Sequence, residues 1–229
     1  MKKRSTLALT KFELSLWILS CGVMIVGYVV APENGLLNFI ASLIGVTALI
    51  FVAKGHAVGQ LLTIVFAVLY GIISLELKYY GEMITYVCMS APMALCALIA
   101  WIKHPYEDSS EVEISTLSKK KGLLLLLSSA VVTFVFYFIL KWLGTASLLV
   151  STLSVTTSYI ASALTFLRSP YYALAYSAND IVLIILWIIA SVGDPSYIVM
   201  AACFVMFLFN DLYGFFNWQR MKRNQTHAK

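Results

Sequence analysis

The sequence predicts an all-α integral membrane protein with about eight transmembrane helices, on three observations. The first is composition. Of 229 residues, 61% are hydrophobic and 12% are charged, where a soluble domain carries about 25% charge. So little polar surface cannot cover a water-soluble fold of this size. The second is that apolar stretches of about 20 residues, the length that crosses a bilayer, recur along the chain between short polar breaks. The third is the placement of charge. The net charge is +5, but the basic residues gather at both ends and in one central loop. That is the pattern of membrane flanks, not of a nucleic-acid-binding stripe.

Taken in order, the spans are predicted at about 12–30, 36–53, 57–76, 80–102, 122–143, 146–167, 170–192 and 195–218. The first opens like a signal peptide, but its apolar run is longer than an h-region and no small-residue cleavage site follows. It is therefore expected to stay as a helix. The connections are short except for KHPYEDSSEVEISTLSKKK at 103–121, whose acidic part is expected to be solvated. With eight spans, one side of the membrane holds Lys2, Lys3, Arg4, Lys11, Lys54, Lys103, Lys119, Lys120, Lys121, Arg168, Arg220, Lys222, Arg223 and Lys229. The other side holds Lys78 and Lys141. The positive-inside rule then puts both termini in the cytoplasm, and the short loops fit a bacterial inner membrane.

The two halves share landmarks. The fourth span ends in Trp101-Ile102-Lys103 and the eighth in Trp218-Gln219-Arg220. Lys54 and Arg168 open the third and seventh, and a glycine turn precedes the fourth (Tyr80-Gly81-Glu82) and the eighth (Gly193-Asp194-Pro195). The expected organisation is an extra helix (1–34), a three-helix repeat (35–103), a loop with a linker helix (104–144), a second three-helix repeat (145–220) and a basic tail (221–229). Repeats of this kind hold ligands at their interface, near the midplane.

Polar groups inside the spans locate the candidate site, because an ionisable residue at a helix centre costs about 2.5–3.5 kcal/mol on insertion scales. Asp180 and Asp211 are such residues, and each follows an asparagine, Asn179 and Asn210. Tyr172 and Tyr176 are four residues apart and share a helix face, with Asn179 and Asp180 close to it. Rings beside an amide and an acid suit a flat heteroaromatic ligand that carries hydroxyls. Thr63 and Tyr86 are the matching candidates in the first half. Asn210, Asp211 and Tyr213 fall nearer the cytoplasmic end and are expected to form a gate or to tie helices together. Glu76 and Glu82 are expected to be solvated near a membrane face, and Pro92 to kink its span. Trp17, Tyr137 and Trp142 read as packing or belt residues. The four cysteines lie in apolar segments, with neither metal-site spacing nor a disulfide framework. No GxSxG, HExxH or P-loop motif is present, so neither enzymatic activity nor a cofactor is expected.

Three stretches carry a family resemblance. FLFNDLYGFFNWQR (207–220) resembles the closing motif of the PnuC vitamin transporters: Asn-Asp, Tyr-Gly, then a Trp before a basic residue. LYGIISLELKYYGEMITYVCMSAPM (69–93) resembles the family's Tyr-Gly-acid turn leading to a helix proline. LSVTTSYIASALTFLRSPYYALAYSAND (153–180) resembles its Ser-rich helix and substrate-binding span. The resemblance covers about residues 35–220. It implies a SWEET-like fold and facilitated diffusion of a vitamin, with nicotinamide riboside as the best-known cargo. It also implies a homotrimer, and a cytoplasmic kinase that traps the vitamin by phosphorylation. Three positions depart from the family pattern. Its Trp-x-x-Trp-x-x-Asn motif falls on Ala173, Tyr176 and Asn179, or on Tyr172 and Tyr176 in another register. Its Pro-x-Gln falls on Pro92-Met93-Ala94, and its Asn after the acidic turn falls on Tyr86. Thiamine or riboflavin is therefore an alternative cargo, and a non-transporting scaffold or sensor subunit is the alternative from another class.

Overall fold

The computed structural model describes residues 8–32, 35–76, 80–145 and 147–227. Lys2, Lys3, Arg4, Lys78 and Lys229 of the charge pattern lie outside the described residues, as does the side chain of Glu76. Among the described residues, eight helices are long and apolar enough to cross a membrane. They are α1 (Lys11–Val30), α2 (Gly35–Ala53), α3 (Ala57–Glu76), α4 (Tyr80–Lys103), α5 (Lys119–Trp142), α6 (Leu148–Phe166), α7 (Tyr172–Ser191) and α8 (Ile198–His227). A short 3₁₀ turn, Pro195–Tyr197, leads into α8. The described residues contain no strand beyond two isolated bridges, His56–Glu111 and Pro105–Val112.

Local chemistry sets the helix ends. Thr10 and Glu13 form a capping box on α1: the Glu13 N–H donates to Thr10 Oγ1 at 3.2 Å, and the Thr10 N–H to Glu13 Oε2 at 2.6 Å. That satisfies two of the orphan donors of a first turn. His56 caps α3 by accepting the Val58 N–H on Nδ1 at 3.2 Å. Burial, helped by the nearby Lys54 ammonium, holds this imidazole below its usual value. Pro92 does not simply bend α4. The helix widens into a π-helical stretch, Thr85–Ser90, immediately before it. Proline cannot donate to the preceding turn, and such wide turns occur often at functional sites.

Two sequence expectations need correction here. The basic tail does not peel away, because α8 continues as helix to His227. Nor is the central loop simply solvated. Glu107, Asp108 and Ser110 are exposed, but Val112 is buried. Gln225 explains both: its Oε1 accepts the Ile114 N–H at 2.8 Å, and its Nε2 donates to the Val112 carbonyl at 3.1 Å. The extended helix and the loop satisfy each other's polar groups.

Helices α2, α3 and α4 pack in sequence, and so do α6, α7 and α8. The two groups meet through α2 against α8 and α4 against α6, while α5 lies along α6 and α1 covers α2 and α8. Paired contacts mark the junction. Trp101 Nε1 donates to the Thr165 carbonyl at 3.0 Å, and Trp218 Nε1 to the Val52 carbonyl at 2.9 Å. The two indoles touch, with centroids 5.3 Å apart. Helices α2 and α6 both end in left-handed residues, Gly55 (φ 66°) and Arg168 (φ 56°). Their carbonyls accept from the same loop, from Val112 and Ser115 at 2.9 and 3.0 Å. We propose that 35–103 and 145–220 are two copies of one three-helix unit, and these paired contacts support it.

Helix α1 is tied on by polar contacts. Asn210 Nδ2 donates to Ser20 Oγ at 3.0 Å, the Tyr213 hydroxyl to Glu13 at 2.6 Å, and Trp17 Nε1 to Thr47 Oγ1 at 3.1 Å. Lys54 completes the group as an ion pair with Glu13 at 3.2 Å.

Gly59 marks the closest approach of α2 and α3. A Cβ built there would lie 2.5 Å from the Val52 backbone nitrogen and 2.9 Å from the Phe51 carbonyl carbon. Gly59→Ala is expected to destabilise by about 1–3 kcal/mol, the usual cost of overpacking. A lowered thermal midpoint in detergent checks this. Gly22→Ala is the control, since nothing lies within 4 Å of its Cβ position and alanine is the better helix former; its midpoint should hold or rise.

Candidate functional site

The two three-helix groups enclose a cavity lined from α2, α3, α4, α6, α7 and α8. Its free space, about 730 Å³ counted together with the part open to solvent, is narrow. The narrow part means that side chains must move to admit anything larger than water. Asp180 is the ninth of twenty residues in α7, so the cavity lies near mid-membrane.

Of the sequence candidates, Thr63, Tyr86, Tyr176, Asn179 and Asp180 all line this cavity. Tyr86 reaches it from the π-helical part of α4. Tyr176 is placed by a hydrogen bond of 3.0 Å between its hydroxyl and Ser162 Oγ. Asn179 is held from α6, where Thr157 Oγ1 (2.8 Å) and Ser158 Oγ (3.0 Å) both donate to its Oδ1. Its oxygen is thus occupied from α6.

Tyr172 does not line the cavity. It is 1% exposed and packs edge-on against Trp218 at 4.6 Å, one helical turn nearer the end of the bundle where the central loop lies. Its spacing from Tyr176 puts both on one face of α7, but that face crosses two layers. Asp211 moves the other way. It lines the same cavity as Asp180, reached from α8. The extension of α8 to His227 explains the difference, because Asp211 is the fourteenth of thirty residues rather than close to a helix end. Asn210 and Tyr213 point to α1 as described above. Glu82 is another correction: it is 6% exposed, and its Oε2 has no hydrogen-bond partner. The first turn of α4 is tucked against α5, where a Cβ on Gly81 would meet Leu140 at 2.7 Å. Glu82 therefore lies within the bundle.

Residues that were not site candidates also line the cavity: Gln60, Ser90, Ser158, Thr165, Phe66 and Phe207. The serines and threonines had a sequence signal, since Ser154, Ser158, Ser162 and Thr165 recur at helical spacing and are all buried. Two aromatic layers close the cavity. Toward the loop end stand Trp101, Tyr172 and Trp218. Toward the other end stand Phe66, Tyr70, Tyr86 and Phe207, with Tyr70 and Tyr86 centroids 4.4 Å apart and Phe66 and Phe207 5.8 Å apart.

A cavity that sets polar side chains among apolar ones, inside eight membrane spans and flanked by aromatic layers, is the architecture of a small-molecule membrane transporter. The chain belongs to the family described as nicotinamide mononucleotide transporter, whose model matches residues 35–220. Among curated relatives, the nicotinamide riboside transporter PnuC of Neisseria mucosa is 28% identical over 224 residues, 95% of this chain and 84% of that protein. The nicotinamide riboside transporter PnuC of Haemophilus influenzae is 25% identical over 196 residues, 85% of this chain and 83% of that protein. The crystal structure of the vitamin B3 transporter PnuC superposes with a TM-score of 0.82 at 26% identity, covering 95% of this chain and 94% of that one.

The double variant Thr157→Val, Ser158→Ala removes both donors to Asn179 Oδ1. A buried acceptor left unsatisfied costs about 1–3 kcal/mol, so the unliganded protein should melt earlier. An unchanged midpoint would mean that α6 does not hold Asn179.

Proposed function

We propose that the protein carries nicotinamide riboside across the membrane by alternating access. The observation that carries this reading is the polarity of the cavity. It offers tyrosine rings, hydroxyls and amides, together with Asp180 and Asp211, and among the described residues no Lys, Arg or His lines it. Rings suit the flat nicotinamide, and hydroxyls and amides suit the ribose. An acid pair in a low-dielectric site attracts a cation, and the pyridinium of nicotinamide riboside is one. The same charge pattern disfavours a mononucleotide, whose phosphate would meet two carboxyls and no cation. Tyr176, Asn179, Asp180, Thr63 and Tyr86 are the proposed substrate contacts, with Asp211 added. Tyr172 belongs with the loop-end gate, and Asn210 and Tyr213 hold α8 to α1.

Both termini and the central loop would face the cytoplasm of a bacterial inner membrane, following the Lys and Arg distribution. Facilitated diffusion would become net uptake through a cytoplasmic kinase that phosphorylates the vitamin, as the resemblance implies. A homotrimer is likewise proposed. The peripheral α5 supports it, with Leu126, Val131, Phe134 and Phe138 exposed outside the bundle.

A ligand that binds only the folded state raises its thermal midpoint. Nicotinamide riboside is expected to do so in detergent, and proteoliposomes should show saturable uptake. Asn179→Leu should lose both while eluting as a folded protein, because Thr157 can fall back on the Leu153 carbonyl at 3.0 Å. Stabilisation by thiamine or riboflavin alone would change the cargo. Neither binding nor uptake of any of the three would reject transport in favour of a scaffold or sensor role.

A further inference from the structure

Arg168 stands at a backbone position that does not ask for a side chain. It follows α6 in the left-handed region, φ 56°, where Gly55 after α2 has φ 66°. Glycine adopts this conformation without steric cost, so the arginine is explained by what its guanidinium does. Its Nη1 donates to the Glu113 carbonyl at 3.2 Å. The Glu113 carboxylate stands 3.8 Å away, too far for a hydrogen bond. A guanidinium has several more N–H donors, and among the described residues no further hydrogen bond occupies them.

Arg168 lines a pocket of about 350 Å³ at the end of the bundle where the central loop lies. Ser115, Thr116 and Thr226 bring hydroxyls to it, and Lys222 brings a second cation. Lys222 is half-buried and makes no ion pair among the described residues. Glu113 is the one acid in the lining, against two cations. A second observation is independent of the pocket. Beginning three residues beyond Thr116, Lys119, Lys120 and Lys121 open α5, and all are exposed. A helix N-terminus favours anions over cations, and no acid stands in that first turn. An anion held beside these lysines offsets both charges. The depth agrees with this. Phe166 and Tyr171 bracket Arg168 and are 41% and 48% exposed, as aromatic residues are at the level of lipid headgroups.

We propose that this pocket binds a phosphate group, presented by the headgroup of an anionic phospholipid. Arg168 gives the phosphate paired hydrogen bonds, the contact that a guanidinium fork makes best. Lys222 acts as a point charge, and the hydroxyls donate to the remaining oxygens. Basic pockets between membrane helices take such headgroups. The occupant ties α6, α8 and the central loop together, next to the layer that Trp101 and Trp218 bond. The inference does not depend on what the central cavity carries.

The test uses the full chain in a mild detergent. Its thermal midpoint is read with phosphatidylglycerol, with zwitterionic phosphatidylcholine, and with inorganic phosphate in place of chloride at matched ionic strength. Phosphatidylglycerol should raise the midpoint by several degrees over phosphatidylcholine, since a ligand of the folded state adds stability. Lys222→Gln should remove most of that difference and leave the lipid-free midpoint near wild type. Lys103→Gln should keep the difference, because it removes a charge at the same end of the bundle but outside the pocket. Raising the salt from about 0.1 M to about 1 M should shrink it, as screening requires.

A difference of wild-type size in Lys222→Gln would overturn the site, because the lipid would then act without the pocket. No rise with either phosphatidylglycerol or inorganic phosphate would overturn it as well. A rise with inorganic phosphate alone, lost in Lys222→Gln, would keep the phosphate site and overturn the lipid as its occupant.

Discussion

Two indole N–H groups hold the architecture in register. Trp101 reaches from α4 to the last turn of α6, and Trp218 from α8 to the last turn of α2. Each indole N–H finds a helix-end carbonyl that also accepts a turn N–H, from Arg168 at 3.0 Å and from Gly55 at 2.9 Å. In a bilayer such groups have no water to turn to, so the bonds are strongly favoured. They also cross between the two three-helix groups, which makes them positional. They set α4 on α6 and α8 on α2, and the space left between these four helices and α3 and α7 is the cavity. The central loop uses the same two helix ends through Gly55 and Arg168, so one layer closes the bundle and anchors the loop at once.

The polar residues of the interior divide by whether their bonds are complete. Glu13 accepts from Thr10, Lys54 and Tyr213, and so has no capacity left to recognise anything. Asn217 donates to the Ala53 carbonyl at 2.9 Å and acts as a strut. Asn179 and Asp180 differ: α6 fixes Asn179 through its oxygen, and Asp180 keeps Oδ2 without a hydrogen-bond partner at the cavity wall. Preorganisation of this sort lowers the ordering cost of binding. The Asn-Asp pair of α7 is therefore the one proposed to recognise the substrate. The pair of α8 is split, with Asn210 turned to α1 and Asp211 to the cavity.

That split shows what the sequence could and could not reveal. All eight spans and their order were legible, because hydropathy over about 20 residues is set by the bilayer and not by the neighbours. Membership of the cavity was legible for Tyr176, Asn179 and Asp180, whose helical spacing places them together. It was not legible for Asp211. Its depth depends on where α8 ends, and the run from Arg220 to Gln225 looks like a solvated tail. Only the buried stripe Gly214, Trp218, Met221 and Gln225, at helical spacing, betrays the longer helix. Tyr172 lies outside the cavity lining for a different reason: periodicity gives the face a residue is on, not the layer. Glu82 lay near the predicted membrane boundary, and its burial is tertiary, which no local pattern encodes.

The two aromatic layers are not equivalent, and the difference bears on how access alternates. The loop-end layer is bonded to backbone on both sides by Trp101 and Trp218, and it lies under a loop clamped by Gln225. Opening it breaks hydrogen bonds between helix ends. The opposite layer meets through ring contacts among Phe66, Tyr70, Tyr86 and Phe207. It sits beside the π-helical stretch of α4, whose hydrogen-bond ladder is already irregular. Rings can turn aside without leaving a donor unpaired, and a wide helical turn can tighten with little motion of its flanks. The cheaper opening is therefore at the Phe66–Tyr86 layer, and the costlier one at the tryptophans. A ligand entering past Tyr86 reaches Asp180 before it meets Trp218. The acids thus stand where binding energy can be spent on loosening the more strongly bonded gate.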